Sequence, residues 1–138
     1  MIDGQQVRFG DKIHDLPNGS SAVYKGEYTP FNSEGGQDRF PVAIKEKTIP
    51  PNDQGFLENV MQEVIIHSKL ENCEHICKCF GYFTNNKKVY IVMDLLEHDL
   101  DHDMKLRNGE AYPEAQLTAW MYHTLQALEY ARSKVTPT

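Results

Sequence analysis

Hydrophobic positions change their spacing several times along the chain, and each change marks an element. From Phe40 to Lys47, Val42 and Ile44 alternate with Ala43 and Lys45, the period of two that sends successive side chains to opposite faces of a strand. Similar runs lie within Val7 to Leu16 and Ser21 to Tyr28, separated by Pro17-Asn18-Gly19-Ser20, residues suited to a turn. They predict an antiparallel hairpin. A second connection, Thr29 to Arg39, holds Pro30, Asn32, Gly35, Gly36 and Asp38 and returns the chain into the strand at Phe40. Pro50-Pro51-Asn52-Asp53 then breaks the strand and supplies caps for a helix. From Gln54 to Leu70 the period lengthens: Leu57, Val60, Met61, Val64, Ile65 and Leu70 recur at spacings of three and four, one apolar helical stripe with Glu63 beside it. Ile76 to Thr84 and Val89 to Asp94 predict two further strands joined through the polar turn Asn85-Asn86-Lys87-Lys88. A short charged helix is expected from Asp99 to Arg107. The longest helix is expected from Pro113 to Ser133, carrying Leu117, Trp120, Met121, Leu125 and Leu128, with Pro113 in its first turn. The predicted fold class is α+β: a five-stranded antiparallel sheet with one helix, followed by two more helices.

Composition narrows the partners. With 138 residues, 40% of them hydrophobic and 25% charged, the chain can bury one ordinary core. A formal charge of -6 argues against a surface for nucleic acid, which needs clustered Lys and Arg to neutralise phosphates. The opening residues lack a basic stretch followed by an apolar one, and no apolar run approaches the length of a membrane span, so a cytoplasmic protein without a membrane partner is expected. Three cysteines, Cys73, Cys77 and Cys79, crowd one short segment in odd number, a pattern of reduced thiols rather than a disulfide framework.

The candidate chemistry starts at Pro41-Val42-Ala43-Ile44-Lys45-Glu46. A small residue and an ammonium share one strand face there, and eighteen residues later Glu63 lies on a helix from which a carboxylate could hold Lys45. Other marks follow in order. They are Val23-Tyr24-Lys25-Gly26, His67-Ser68-Lys69-Leu70 ahead of Ile76, and Phe80-Gly81-Tyr82-Phe83. Tyr90-Ile91-Val92-Met93-Asp94-Leu95-Leu96 and Glu97-His98-Asp99-Leu100 complete the series. Together they resemble the eukaryotic protein kinase family over nearly the whole chain: the N-terminal lobe and hinge over about 7–96, and the first two helices of the C-terminal lobe over 97–138.

The resemblance implies a role for each position. Lys45 would neutralise the α- and β-phosphate oxygens of ATP, and Glu63 would fix Lys45 by a charge-assisted hydrogen bond. Val23 and Ala43 would roof the adenine, with Leu16 at the mouth, because a flat heteroaromatic ring favours dry contact on its face. Met93 resembles the gatekeeper. The carbonyl of Asp94 and the amide of Leu96 would meet the edge of adenine, and Asp99 would accept a ribose hydroxyl or cap the following helix. Two departures stand beside these matches. Leu16-Pro17-Asn18-Gly19-Ser20-Ser21-Ala22-Val23 keeps one glycine where kinases usually show three, and Pro17 has no amide to offer a phosphate. After Tyr130-Ala131-Arg132-Ser133-Lys134-Val135-Thr136 the family continues into His-Arg-Asp, whereas this sequence reads Pro137-Thr138. The expectation is therefore the ATP-binding portion of a kinase of serine/threonine type, lacking the catalytic base and the magnesium-binding motif and inactive alone. The alternative is a pseudokinase-like module that binds nucleotide or docks on a partner. Magnesium is expected of the family, but its ligands would lie beyond Thr138. The short likeness at Glu97 to Leu100 to cyclin-dependent kinases does not assign a subfamily, and no cyclin-binding helix motif surrounds Glu63.

Blander readings stand beside the remaining residues. Cys73, His75, Cys77 and Cys79 suggest zinc by type, but His75, Cys77 and Cys79 alternate as along a strand and no paired C-x-x-C knuckle is present, so buried free thiols are preferred. His98 and His102 are four apart with acidic neighbours and read as a solvated face. The apolar residues of the 117–128 stripe are expected to need cover, from further kinase residues or from a protein partner.

Overall fold

The period-two runs pair as their alternation demands. The computed structural model of the chain describes residues 2–15, 20–30, 39–96 and 99–135. Strands β1 (Val7–Asp15), β2 (Ser21–Tyr28), β3 (Phe40–Thr48), β4 (Cys79–Asn85) and β5 (Lys88–Asp94) form one sheet in the order β1-β2-β3-β5-β4, every neighbouring pair antiparallel. Helix α1 (Gln54–Ser68) joins β3 to β4, and α2 (Leu100–Arg107) and α3 (Glu114–Val135) follow the sheet. Leu16, the turn residues 17–19, most of the second connection (31–38), Glu97, His98 and 136–138 lie outside the described residues.

The sheet buries both faces, each with its own set of side chains. On one face Val42, Ile44 and Val92 are fully enclosed and join Ile2, Val7 and Phe83, with Tyr24, Tyr28, Phe80 and Tyr90 packed around them. The N-terminal segment closes this face: Ile2 donates its amide to the Tyr82 carbonyl at 2.8 Å, and Asp3 caps a 3-10 turn at Gly4–Gln6. Two glycines permit the close packing. Gly81 sits at φ 141°, with Ile2 where its Cβ would be, and marks the irregularity in the β4–β5 register. A Cβ on Gly26 would stand 2.6 Å from the Arg8 carbonyl oxygen and 2.5 Å from Ile44 Cδ1.

The opposite face receives α1. Val60 and Val64 of its stripe pack against Cys79, Val89 and Ile91, with Phe56, Leu57 and Met93 at the margin. Full burial of such aliphatic side chains contributes about 1.5–3 kcal/mol each. Asn86 and Lys87 both adopt left-handed backbone, at φ 50° and 63°, making the two-residue turn whose twist suits a hairpin between β4 and β5. Helix α2 is capped at its start by Asp99, whose carboxylate accepts from the His102 amide at 2.8 Å, and at its end by Asn108 in left-handed conformation.

Most boundaries shift by a residue or two, and one departs further from expectation. Strand β4 begins at Cys79, not Ile76, because the preceding backbone is bonded elsewhere. His67 Nε2 lies 2.6 Å from the Cys77 carbonyl oxygen, and the Lys78 amide donates to the Asp94 carboxylate at 2.9 Å. These bonds tie the segment to α1 and to the end of β5.

Candidate functional site

Strand register places the roof and the rear wall of one cavity side by side. Ala43 of β3 is the direct cross-strand partner of Met93 on β5 and of Lys25 on β2, while Val23 of β2 pairs with Lys45. Directly opposed residues project on the same face. Val23, Lys25, Ala43 and Met93 therefore share the surface that α1 leaves uncovered toward the sheet's β1 edge. There they line a cavity of about 710 Å³ together with Asp94, Leu95, Leu96 and Asp99. Ile13, His14 and Cys77 complete the part of its lining contributed by the sheet and the loop before β4, and Asp101, His102 and Lys105 of α2 form its floor. Of the nine site residues expected from sequence, six line this one space: Val23, Ala43, Met93, Asp94, Leu96 and Asp99. Leu16 lies outside the described residues.

Lys45 and Glu63 are placed differently. Neither lines the cavity, and the expected contact between them is not formed. Glu63 Oε2 stands 3.6 Å from Lys47 Nζ, and Lys45 makes no ion pair among the described residues. The physical reason lies in the strand. Lys45 and Lys47 are two positions apart, so both face α1, and the packing of Val60 and Val64 on the β4–β5 side brings Glu63 to the later lysine.

The end of the cavity at the close of β5 is held by a compact set of bonds around Asp94. Its amide donates to the Lys78 carbonyl at 2.9 Å, its carboxylate accepts the Lys78 amide at 2.9 Å, and its carbonyl oxygen lies 3.9 Å from Cys77 Sγ. Burial, then the Asp94 charge, pushes the Cys77 thiol above its usual range, so it is uncharged at neutral pH. Asp99 does cap α2 through one oxygen. A carboxylate has lone pairs to spare for a second donor.

A second hollow, of about 470 Å³, opens between the loop before β4 and the last two helices, lined by His75, Asp99, Leu100, Asp103, Trp120 and His123. His75 and His123 stack there with ring centroids 4.2 Å apart. Its carboxylates are already engaged: Asp103 accepts the Tyr112 hydroxyl at 2.6 Å and pairs with Arg107. Among the described residues no three His, Cys, Asp or Glu side chains converge as metal ligands, and the three cysteines are free thiols. Among those residues, too, no helix is long and apolar enough to cross a membrane.

Sequence reasoning missed Ile13, His14, Lys25 and Cys77 as cavity residues, and also Asp101, His102 and Lys105 of α2, of which His102 reads from sequence as part of a solvated face. Cys77 carried no usable signal: it precedes β4, so the alternation that places Cys79 against α1 does not reach it. His14 and Lys25 carried no signal, because polar residues on strands are ordinarily solvated.

Residues 31–135 match the family model described as the protein kinase domain. The chain belongs to the protein kinase family. It is also similar to cyclin-dependent kinase 8 of Caenorhabditis briggsae, at 36% identity over 84 residues, which is 60% of this chain and 13% of that relative. The five-stranded antiparallel sheet with α1, followed by α2 and α3, is the mixed α+β arrangement of a kinase small lobe with part of the large one.

Proposed function

We propose that the chain is the ATP-binding portion of a serine/threonine-type protein kinase, whose longer members transfer a phosphoryl group from ATP to protein hydroxyls. The observation that supports this reading best is the cavity itself. An apolar roof from Val23 and Ala43, a rear wall at Met93 and the hinge backbone of Asp94 to Leu96 converge on one space of a size suited to a nucleotide. Adenine would lie between roof and floor with its edge at the Asp94 carbonyl and Leu96 amide, and the Asp99 carboxylate would take a ribose hydroxyl. Lys45 would meet the phosphates. Glu63 would leave Lys47 to hold Lys45 when nucleotide is bound, a shift whose extent is set by the differential affinity of ATP for the two arrangements. The sequence contains neither His-Arg-Asp nor Asp-Phe-Gly. On this reading these residues bind nucleotide without supplying the base or the magnesium ligands of transfer, and 1–138 is part of a kinase domain working in the cytoplasm.

The test is thermal unfolding of the chain with and without Mg-ATP, beside Lys45→Met. A stabilisation of about 2.7 kcal/mol is expected at ligand a hundredfold above its dissociation constant. The mutant should lose most of it. No shift in the parent chain would overturn the ATP reading.

A second reading, a docking module of pseudokinase type, is favoured by α3. Leu117, Met121, Leu125 and Leu128 are all exposed on that helix, an apolar face that further kinase residues or a protein partner would cover. The similar relative is by name cyclin-dependent. A cyclin-like protein is accordingly one partner to test.

A further inference from the structure

Away from the nucleotide cavity, a small polar pocket of about 140 Å³ opens where β1 starts and β2 ends, lined by Gln5, Gln6, Arg8, Glu27, Thr29 and Arg39. Its floor is braced. Gln6 donates through its side-chain amide to the Thr29 carbonyl at 3.1 Å and accepts from the Asp3 amide at 2.9 Å, while the Thr29 amide donates to the Gln6 carbonyl at 2.9 Å. Arg8 and Glu27 are direct cross-strand partners and so share one face of the sheet. Glu27 nevertheless turns to Arg39: the two side chains approach to 3.6 Å, both about half exposed, and Arg8 makes no ion pair among the described residues. Asp3 does not line the pocket, and its carboxylate is engaged by the Gln5 amide. Two guanidiniums thus share the space with one carboxylate, which leaves a unit of positive charge there in a chain whose formal charge is -6.

We propose that this pocket binds a single phosphoryl oxyanion between Arg8 and Arg39. The inference is independent of the nucleotide reading, since the two cavities share no residue. Size and charge together select the ligand. One water takes up about 30 Å³ of liquid, so the space holds roughly four or five water-sized groups, the number of heavy atoms in a phosphate group and far fewer than in a nucleotide. Glu27 has two oxygens and meets one arginine, whereas a phosphoryl group has three terminal oxygens, enough to take both guanidinium forks at once in charge-assisted bonds. The Gln5 side-chain amide and the Thr29 hydroxyl line the same space and can donate as well. A polyanion would meet repulsion from the rest of an acidic chain, so a lone phosphate, free or esterified to a side chain, is the ligand that fits. Glu27 is then the competitor that the ligand displaces from Arg39.

The experiment follows the backbone amide NMR spectrum of the chain at constant ionic strength as inorganic phosphate, or a short peptide of glycines around one phosphoserine, is added. Sodium chloride and the unphosphorylated peptide serve as controls. Saturable shifts are expected at Gln5, Gln6, Thr29 and Arg39. Arg8→Gln removes a charge-assisted bond and should weaken binding about tenfold, while Glu27→Gln removes the competitor and should tighten it about threefold. Ligand-free Tm should change little in either variant, and a gain of affinity in Glu27→Gln is a result that damage to the fold would not produce. A phosphopeptide bound within about threefold of inorganic phosphate would assign the site to a phosphorylated side chain, and weaker peptide binding would assign it to free phosphate; either supports the site. Shifts that spread over the surface without saturating, saturation confined to the residues of the nucleotide cavity, or equal shifts with the unphosphorylated peptide would overturn it. So would an affinity unmoved by either substitution.

Discussion

Replacing Lys47 by methionine separates two demands on Glu63. In the structure Glu63 Oε2 is 3.6 Å from Lys47 Nζ, with the lysine side chain 20% exposed and the carboxylate 59% exposed. At about 4 Å an effective dielectric constant near 20 would give roughly 4 kcal/mol, but pairs with one partner this open to water measure about 0.2–1 kcal/mol, because screening and side-chain entropy offset the attraction. The smaller figure governs here. Lys47→Met should therefore lower folding stability by no more than about 1 kcal/mol. If nucleotide requires Glu63 at Lys45, removing the competitor should raise affinity for Mg-ATP, by at most the same energy, about fivefold. Glu63→Gln loses the same ion pair and so costs about the same stability, yet it removes the carboxylate from both arrangements, and its affinity should fall. Two variants alike in urea unfolding should thus move in opposite directions in isothermal titration with Mg-ATP. Unchanged or weakened binding by Lys47→Met would refute the idea that Lys47 holds Glu63 back. A coupling energy above about 2 kcal/mol in the double-mutant cycle would refute the treatment of the pair as a surface one.

Two predictions address the sheet. Gly26→Ala drives a methyl group into the Arg8 carbonyl oxygen and the Ile44 side chain, at 2.6 and 2.5 Å. The Arg8 oxygen belongs to a paired strand and Ile44 is fully buried, so neither can yield cheaply. A loss of about 1–3 kcal/mol is expected in urea unfolding, and a change under about 0.5 kcal/mol would contradict the packing described. The second concerns Tyr90, whose hydroxyl is pushed up to about 12 by burial and by the Glu46 carboxylate that it hydrogen-bonds. The folded state then holds this proton more tightly than the unfolded state does. That contribution is complete below about pH 10 and is lost as pH rises from about 10 to 12. Tyr90→Phe should flatten this part of the stability curve; identical slopes for the two proteins above pH 10 would refute it.

The small lobe was legible because its information is local. Alternation in Val42-Ala43-Ile44-Lys45 fixes which side chains enter the core, a one-residue slip would exchange the two faces, and the observed register keeps Val42 and Ile44 fully buried. The turn at Asn86 and Lys87 was legible for a similar reason, since Asn tolerates left-handed backbone and the strands on either side have clear patterns. The start of β4 was not, because the bonds that displace it come from His67 and Asp94, ten and sixteen residues away from their partners.

The same distinction explains why the cavity was foreseen and the ion pair was not. Val23, Ala43 and Met93 sit on strands whose ladder fixes each side chain relative to the next, so a pattern in the sequence becomes a position in space. Glu63 sits on a helix, and a period of 3.6 tells only which side faces the sheet. Sliding α1 along the sheet leaves Val60 and Val64 in apolar contact while it carries Glu63 past the lysines. Two residues of strand span about 6.6 Å, little more than one helical turn of about 5.4 Å, so a displacement of roughly one turn is enough to exchange Lys47 for Lys45. The apolar stripe resists this motion weakly, since contacts between aliphatic side chains are non-directional. The residues on the rigid sheet are thus fixed by sequence, while Glu63, on a helix held by such contacts, is not.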